Sequence, residues 1–247
     1  MNEFLRLGNG NAKLNTAIGI FDLPAGHTCP FAKDCYAKVN YKTGKLIRGE
    51  EAKFRCFAAT SELRSSNARD KRKHNLDLIK SKRSVEGMAQ LILASMKVNE
   101  KIANVDMFRI HTSGDFYSQM YFDAWVEVAK SLPNVRFYAY TKSLKFWVSR
   151  INEIPINLHL TASKGGKHDE LIDIFNLKNV EVVYSIEEAK IKGLEIDHDD
   201  SHCINPKCTK FALLIHGIQP AGSDASKAIQ VLKKQGIGGY KKGRARE

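Results

Sequence analysis

The sequence predicts an α/β protein with a mostly parallel sheet, as a single domain over residues 1–240 followed by a basic tail at 241–247. Three observations point there. From residue 107 onward, short β-prone runs alternate with helical patterns, the mark of βαβ units. No internal repeat, low-complexity tract or Pro/Ser-rich linker interrupts the chain. Polar and small residues gather after each expected strand, as they do where a parallel sheet presents ligand-binding loops.

Taken in order, the apolar run TAIGIFDLPAG predicts a first strand leading into a Gly/Pro-bearing loop. Residues 51–98 read as helical and partly basic, with Val85, Met88, Leu91, Ile92 and Met96 as an apolar stripe that packs in a core. The alternation then begins. MFRIH precedes YSQMYFDAWVEVAKSL, where Tyr121, Trp125, Val128 and Ala129 share one helical face. VRFYAY precedes SLKFWVSRI, INLHLT precedes HDELIDIF, and VEVVYS precedes IEEAKIKG. FALLIHG precedes SDASKAIQVLKKQG, whose Ala225, Ile229 and Leu232 line one face between an N-cap at Ser223 and a stop at Gly236.

The residues after the strands carry the candidate chemistry. They are Gly26, His27 and Cys29; His111, Ser113, Gly114 and Asp115; Tyr140, Thr141 and Lys142; Ser163, Lys164 and Gly165; Ser185; and His216 with Gln219. Gly114 permits close backbone approach, Ser113 offers a hydroxyl, and Asp115 either caps the next helix or accepts bonds from a substrate amine. Lys142 is suited to a phosphate or carboxylate, or is an ordinary surface lysine. His111, Ser113, Gly114, Asp115, Thr141 and Lys142 are therefore the expected cofactor or small-molecule contacts.

Cys29 and Cys35, in HTCPFAKDCYA, and Cys56, in FRCFAATSE, are the expected metal ligands. Thiolates are what iron–sulfur clusters and structural zinc select, and the odd total of five cysteines does not suit a disulfide framework. Three thiolates would leave one iron of a four-iron cluster without a protein cysteine. Cys203 and Cys208, in SHCINPKCTKF, could supply a fourth ligand, form a separate site or take no part; Cys208 is the expected fourth ligand. The acidic run DHDDSH, 197–202, is either a rival metal site or a turn held by its own carboxylates. No dinucleotide fingerprint, phosphate-binding loop, serine-nucleophile elbow or zinc-protease helix motif is present.

Thirty-nine Lys and Arg against 27 Asp and Glu give a formal charge of +12, which attracts polyanions. Nucleic acid is the expected partner, through residues 64–83, with eight cations and two Asp, and through the C-terminal tail. No apolar run of about 18 residues predicts a membrane span, and no secretory signal opens the chain. A cytoplasmic location is expected.

LPAGHTCPFAKDCYA, FRCFAATSE, RIHTSGDFYSQMYFDAW, FYAYTKSL, INLHLTASKGG, GLEIDHDDSH and FALLIHGIQPAGS together resemble the bacteriophage gene product 88 family, over about residues 15–240. That resemblance implies a phage protein working in the host cytoplasm and names no activity. In layout the chain is more distantly similar to radical S-adenosylmethionine enzymes: a cysteine loop after the first strand, the turn SGD after the second and YTKS after the third. This likeness implies a partial (β/α) barrel, a 4Fe-4S cluster on Cys29, Cys35 and Cys56, and S-adenosylmethionine beside Ser113, Gly114 and Asp115. The chain departs from that superfamily in spreading its cysteines over 28 positions, where the superfamily packs them into one short loop. Two functional expectations result: an iron–sulfur protein with redox or radical chemistry, or a cluster- or zinc-stabilised nucleic-acid-binding protein without catalysis.

Overall fold

The alternation of strand and helix is realised as six parallel strands lying side by side in chain order. The computed structural model describes residues 3–11 and 14–237. Its strands are β1 (Gly8–Asn9), β2 (Ile18–Asp22), β3 (Ala37–Val39), β4 (Leu46–Arg48), β5 (Met107–Ser113), β6 (Arg136–Thr141), β7 (Leu158–Ser163), β8 (Asn179–Val183) and β9 (Lys210–Leu214). The α-helices are α1 (Phe57–Arg64), α2 (Ser66–Ser81), α3 (Val85–Val98), α4 (Gln119–Ser131), α5 (Leu144–Val148), α6 (Glu170–Ile174), α7 (Ile186–Ile191), α8 (Ser201–Ile204) and α9 (Asp224–Lys234). The sheet order is β1-β2-β5-β6-β7-β8-β9, antiparallel only at β1–β2, and β3–β4 form a separate hairpin. The tail expected at 241–247 lies outside the described residues.

One face of the sheet supplies Phe21, Phe108, Ile110, Phe137, Ala139 and Leu160 to the main core, against Met88, Ile92, Phe122 and Trp125 from α3 and α4. The expected stripes are the reason: Tyr121, Trp125, Val128 and Ala129 are fully buried, with the Trp125 ring tilted against that of Phe108 at 5.8 Å. Burying a side chain of this size contributes about 1.5–3 kcal/mol. Ser118 caps α4 by accepting from the Tyr121 amide, and Ser223 caps α9 by accepting from that of Ser226. Gly236, at φ 71°, ends the run after α9 as expected.

The opposite face carries Tyr138, Val180 and Phe211, and it is covered by the segment through α8. Arg109 meets Asp200 there at 2.6 Å with both side chains nearly buried, and Tyr138 donates to the same carboxylate at 3.1 Å. The run DHDDSH is thus a plug on the sheet, with Asp197 and Asp200 buried as hydrogen-bond acceptors. The amides of Asp199 and Ser201 donate turn bonds to the side-chain carboxylates of Asp197 and Asp199, the alternative the sequence left open. The hairpin β3–β4 and helix α8 were not foreseen: both are short, and both are held by tertiary packing.

Candidate functional site

The first loop rises from β2 and is fastened strand by strand. Leu23 donates to the Ser113 carbonyl at 2.9 Å, and the Ser113 hydroxyl returns a bond to the Leu23 carbonyl at 2.8 Å. Gly26 turns the chain at φ 72°, and its amide points at the Cys29 sulfur, 3.3 Å away. The amides of Lys33 and Asp34 donate to the Gly165 carbonyl beyond β7, and the Phe31 carbonyl accepts from Lys167. The Asp34 carbonyl then accepts from the amides of Lys53 and Phe54, which returns the chain to Cys35 with Cys56 two residues on. Gln219, beyond β9, clamps both the amide and the carbonyl of Arg55. Loops from four strand ends therefore hold Cys29, Cys35 and Cys56.

Charge records the convergence of the three thiols. Burial pushes the Cys29 thiol well up, and Asp115, Cys56 and Cys35 push it further. Burial also raises Cys56, to about 11, with Cys35 as the next cause, while the Ala59 and Ala58 amides at the start of α1 favour its thiolate. Cys35 is raised by burial, eased by Lys142 and raised again by Asp115 and Asp34. All three are free thiols. Among the described residues, no three His, Cys, Asp or Glu side chains already stand in ligating array. Deprotonating three such neighbours is costly unless a cation joins them.

Asp115 lies beside the thiols as the centre of a hydrogen-bond network. Its carboxylate accepts from the Thr141 hydroxyl at 2.6 Å and from the amides of Lys142 and Phe116, both at 2.8 Å, and burial still raises it to about 6. The Lys142 ammonium spends its three donors on the Ser163 hydroxyl at 2.6 Å, the Ser163 carbonyl at 3.0 Å and the Lys164 carbonyl at 2.9 Å. Gly114, at φ 84°, lies so close under the first loop that a β-carbon would meet Thr28 Oγ1 at 2.5 Å and Leu23 Cβ at 2.7 Å. Five of the six expected contact residues thus stand together at the carboxyl ends of β5 and β6, and two of them, Asp115 and Lys142, act on the charge of the thiols. Ser113, Asp115, Thr141 and Lys142 fasten the strand ends to one another, and Gly114 admits the loop.

His111 is the exception. It sits at φ 65° in a bulge, where β5 spends extra residues between its pairings to Ile20 and Asp22. The bulge turns its ring to the helix side, where Nε2 bonds Tyr121 Oη at 2.8 Å and burial lowers its pKa to about 3. His111 therefore stands in the core on the helix side as a neutral ring, apart from the loops that carry the thiols.

Cys208 also stands apart from the three thiols. It precedes β9 and so lies at the amino ends of the strands, packed with Ile18, Met107 and the buried Cys203. Cys203 shares a contact of 3.2 Å with Thr161 Oγ1, and burial raises its thiol to about 12. Parallel strands put a cysteine before a strand at the opposite pole from one that follows a strand.

Sequence reasoning missed the supports of the site. Glu62, fully buried in α1, accepts from the Ala25 amide at 2.8 Å and from Arg72 at 3.0 Å, tying the first loop to α1 and α2. Arg72 also donates to the Ala58 carbonyl, and Asn75 donates to the Asp22 carbonyl. Lys71 pairs with Asp22 at 3.1 Å. The basic segment 64–83 is in good part a brace. No local pattern marks Glu62 and Arg72, because they pair across two helices.

The fold and site define a sequential α/β protein with a half-buried group of thiols in loops at the carboxyl ends of its strands. The chain belongs to the gene product 88 family: the family model described as "Gene product 88" matches residues 4–233. It is 27% identical over 225 residues to "Gene 88 protein" of Mycobacterium phage D29, covering 85% of this chain and 87% of that one. It is 33% identical over 143 residues to "Gene 88 protein" of Mycobacterium phage L5, covering 55% and 51%. No solved structure matches. Among the described residues, no helix is long and apolar enough to cross a membrane.

Proposed function

We propose that this phage protein binds an iron–sulfur cluster through Cys29, Cys35 and Cys56 and works in the host cytoplasm. The observation that carries the reading is that loops tied to the Gly165 carbonyl and clamped by Gln219 bring the half-buried thiols of Cys29, Cys35 and Cys56 within reach of one another's charge, Cys56 and Cys35 both raising Cys29 and Cys35 raising Cys56. Such a set suits a cationic centre that takes the thiolates and releases their protons. With Cys203 and Cys208 elsewhere, a 4Fe-4S cluster would keep one iron free of protein sulfur, open to S-adenosylmethionine or another small ligand. The bound group would supply electron transfer. The chain's own part is to restrict water, through the loops pinned at Gly165 and Gln219, and to hold a negative carboxylate, Asp115, and a positive ammonium, Lys142, within electrostatic reach of the thiols. Six parallel strands in sequential order, with the ends of β2, β7 and β9 tied to the same loops, support a partial (β/α) barrel of radical S-adenosylmethionine type.

Anaerobic purification, with iron and acid-labile sulfide analysis and visible spectra, tests the reading. Brown protein is expected. Changing Cys29, Cys35 or Cys56 to Ala should abolish the colour, while Cys203→Ala and Cys208→Ala retain it. Protein that stays colourless after anaerobic reconstitution refutes the cluster, and zinc in its place without sulfide selects the structural-metal alternative. Spectral change on adding S-adenosylmethionine to the reduced protein would place that cofactor at the open iron.

A further inference from the structure

Between Cys35 and Cys56 the chain makes the hairpin β3–β4, and its two faces differ. Ala37, Val39 and Leu46 point inward, where Ala37 and Leu46 pack with Ala25, Ala58, Ala59 and Cys56 itself. The register Lys38↔Ile47, with the Asn40 amide bonded to the Lys45 carbonyl and the Gly49 amide to the Tyr36 carbonyl, puts Tyr36, Lys38, Lys45 and Ile47 on the outward face. Lys42 stands at the turn. Lys42, Lys45 and Ile47 are exposed, and the Lys38 ammonium lies 6.0 Å from the centre of the Tyr36 ring.

The cations of α2 contrast with these. Arg72 is committed to Glu62, Lys71 to Asp22 and Lys73 to Asp77, and Arg69 donates to the Glu62 carbonyl. Among the described residues, Lys38, Lys42 and Lys45 have no carboxylate within ion-pair distance. The acids nearest in sequence are Asp34, engaged by Lys53 at 2.9 Å, Glu51, engaged by Lys33 at 3.2 Å, and the exposed Glu50.

We propose that the outward face of this hairpin binds nucleic acid, with Lys38, Lys42 and Lys45 on the phosphodiester backbone and Tyr36 and Ile47 against bases or sugars. A two-stranded ribbon is thin enough to follow a groove, and an aromatic set among lysines is the combination that single strands use. The inference rests on the cluster reading for its meaning, because the inner face of the ribbon packs on Cys56 and so carries the bound strand to the thiol site. It moves the main contact from residues 64–83 to residues 36–47.

The test measures binding of fluorescent single-stranded DNA, duplex DNA and RNA oligonucleotides by anisotropy across a salt series, with full chains that keep the tail. The triple change Lys38→Gln, Lys42→Gln and Lys45→Gln should weaken binding by about tenfold or more at low salt and lower the salt slope by roughly 2–3, near 0.9 per lost phosphate contact on duplex. The same positions changed to Arg should bind as the parent does. Lys73→Gln, Lys80→Gln and Arg83→Gln together should alter binding less than the hairpin set. The proposal is overturned if the parent binds no oligonucleotide, if the Gln hairpin set binds as the parent does, if the Arg set fails to bind, or if the α2 set loses as much. Attachment to anionic phospholipid vesicles in place of oligonucleotides overturns it too. Iron content, read on every sample, judges the cluster separately: a colourless parent that binds through the hairpin removes the cluster and keeps the ribbon.

Discussion

The carboxyl ends of the strands and the covered face of the sheet both set cysteines beside carboxylates, and the two regions enclose them in different ways. Cys203 is enclosed by Tyr138, Val180 and Phe211, and the nearby Asp200 is neutralised by Arg109. Its thiol is shut in by close packing and remains a small hydrophobe. Cys29, Cys35 and Cys56 are half-buried among loops, with one another, Asp115 and Lys142 as their charged company. Close packing by side chains makes sulfur inert, whereas loops held by hydrogen bonds bring sulfurs from distant positions within reach of one another's charge.

The sharpest separation of the two regions is Asp200→Ala. It strands a buried guanidinium and should cost about 3–5 kcal/mol in urea unfolding, as broken buried pairs do, with iron content unchanged. Iron loss equal to that of the thiol variants would join the regions into one site. Next comes Gly114→Ala, whose new methyl has no room under Thr28 and Leu23. A cost of about 1–3 kcal/mol is expected from overpacking, this time with reduced iron, because the first loop must lift. Full iron loading at parental stability would show that the loop is not held as described.

The smallest effect per step is a pH dependence that belongs to the core between the two regions. His111 is lowered to about 3 from the ordinary 6.5, so below about pH 6.5 the unfolded chain takes up a proton that the folded chain refuses. Its contribution to stability is lost as pH falls toward 3, by at most about 1.4 kcal/mol per unit. Asp115, raised to about 6, has the opposite sign: the folded chain gains its proton first, and stability rises as pH falls from 6 toward 4. Comparing His111→Asn with the parent isolates the histidine, and asparagine tolerates the positive φ. The variant should gain on the parent as the solution is acidified, and parallel curves would refute the neutral buried ring.

Much of the architecture was legible because period is a local property. The stripe of Tyr121, Trp125 and Val128 and the β-prone runs at 107, 136, 158, 180 and 210 became the elements they predict. The side of a strand end is also local: Cys29, Gly114, Thr141 and Gly165 follow strands and so share a pole. The same reasoning, applied to Cys208 before FALLI, marks it as belonging to the other pole. His111 was not legible, because a bulge reverses the parity on which face assignments rest.

The sequence by itself determined the order and kind of the strands and helices, the pole at which the loops gather and the residue types found there, since spacing along the chain dictates each. Tertiary structure alone decided that Glu62 and Arg72 brace the first loop, that Asp197 and Asp200 plug the sheet, and that three thiols up to 27 residues apart lie within reach of one another's charge. Those partners meet only after the chain has folded back on itself, and contacts between distant segments leave no periodic trace in the sequence.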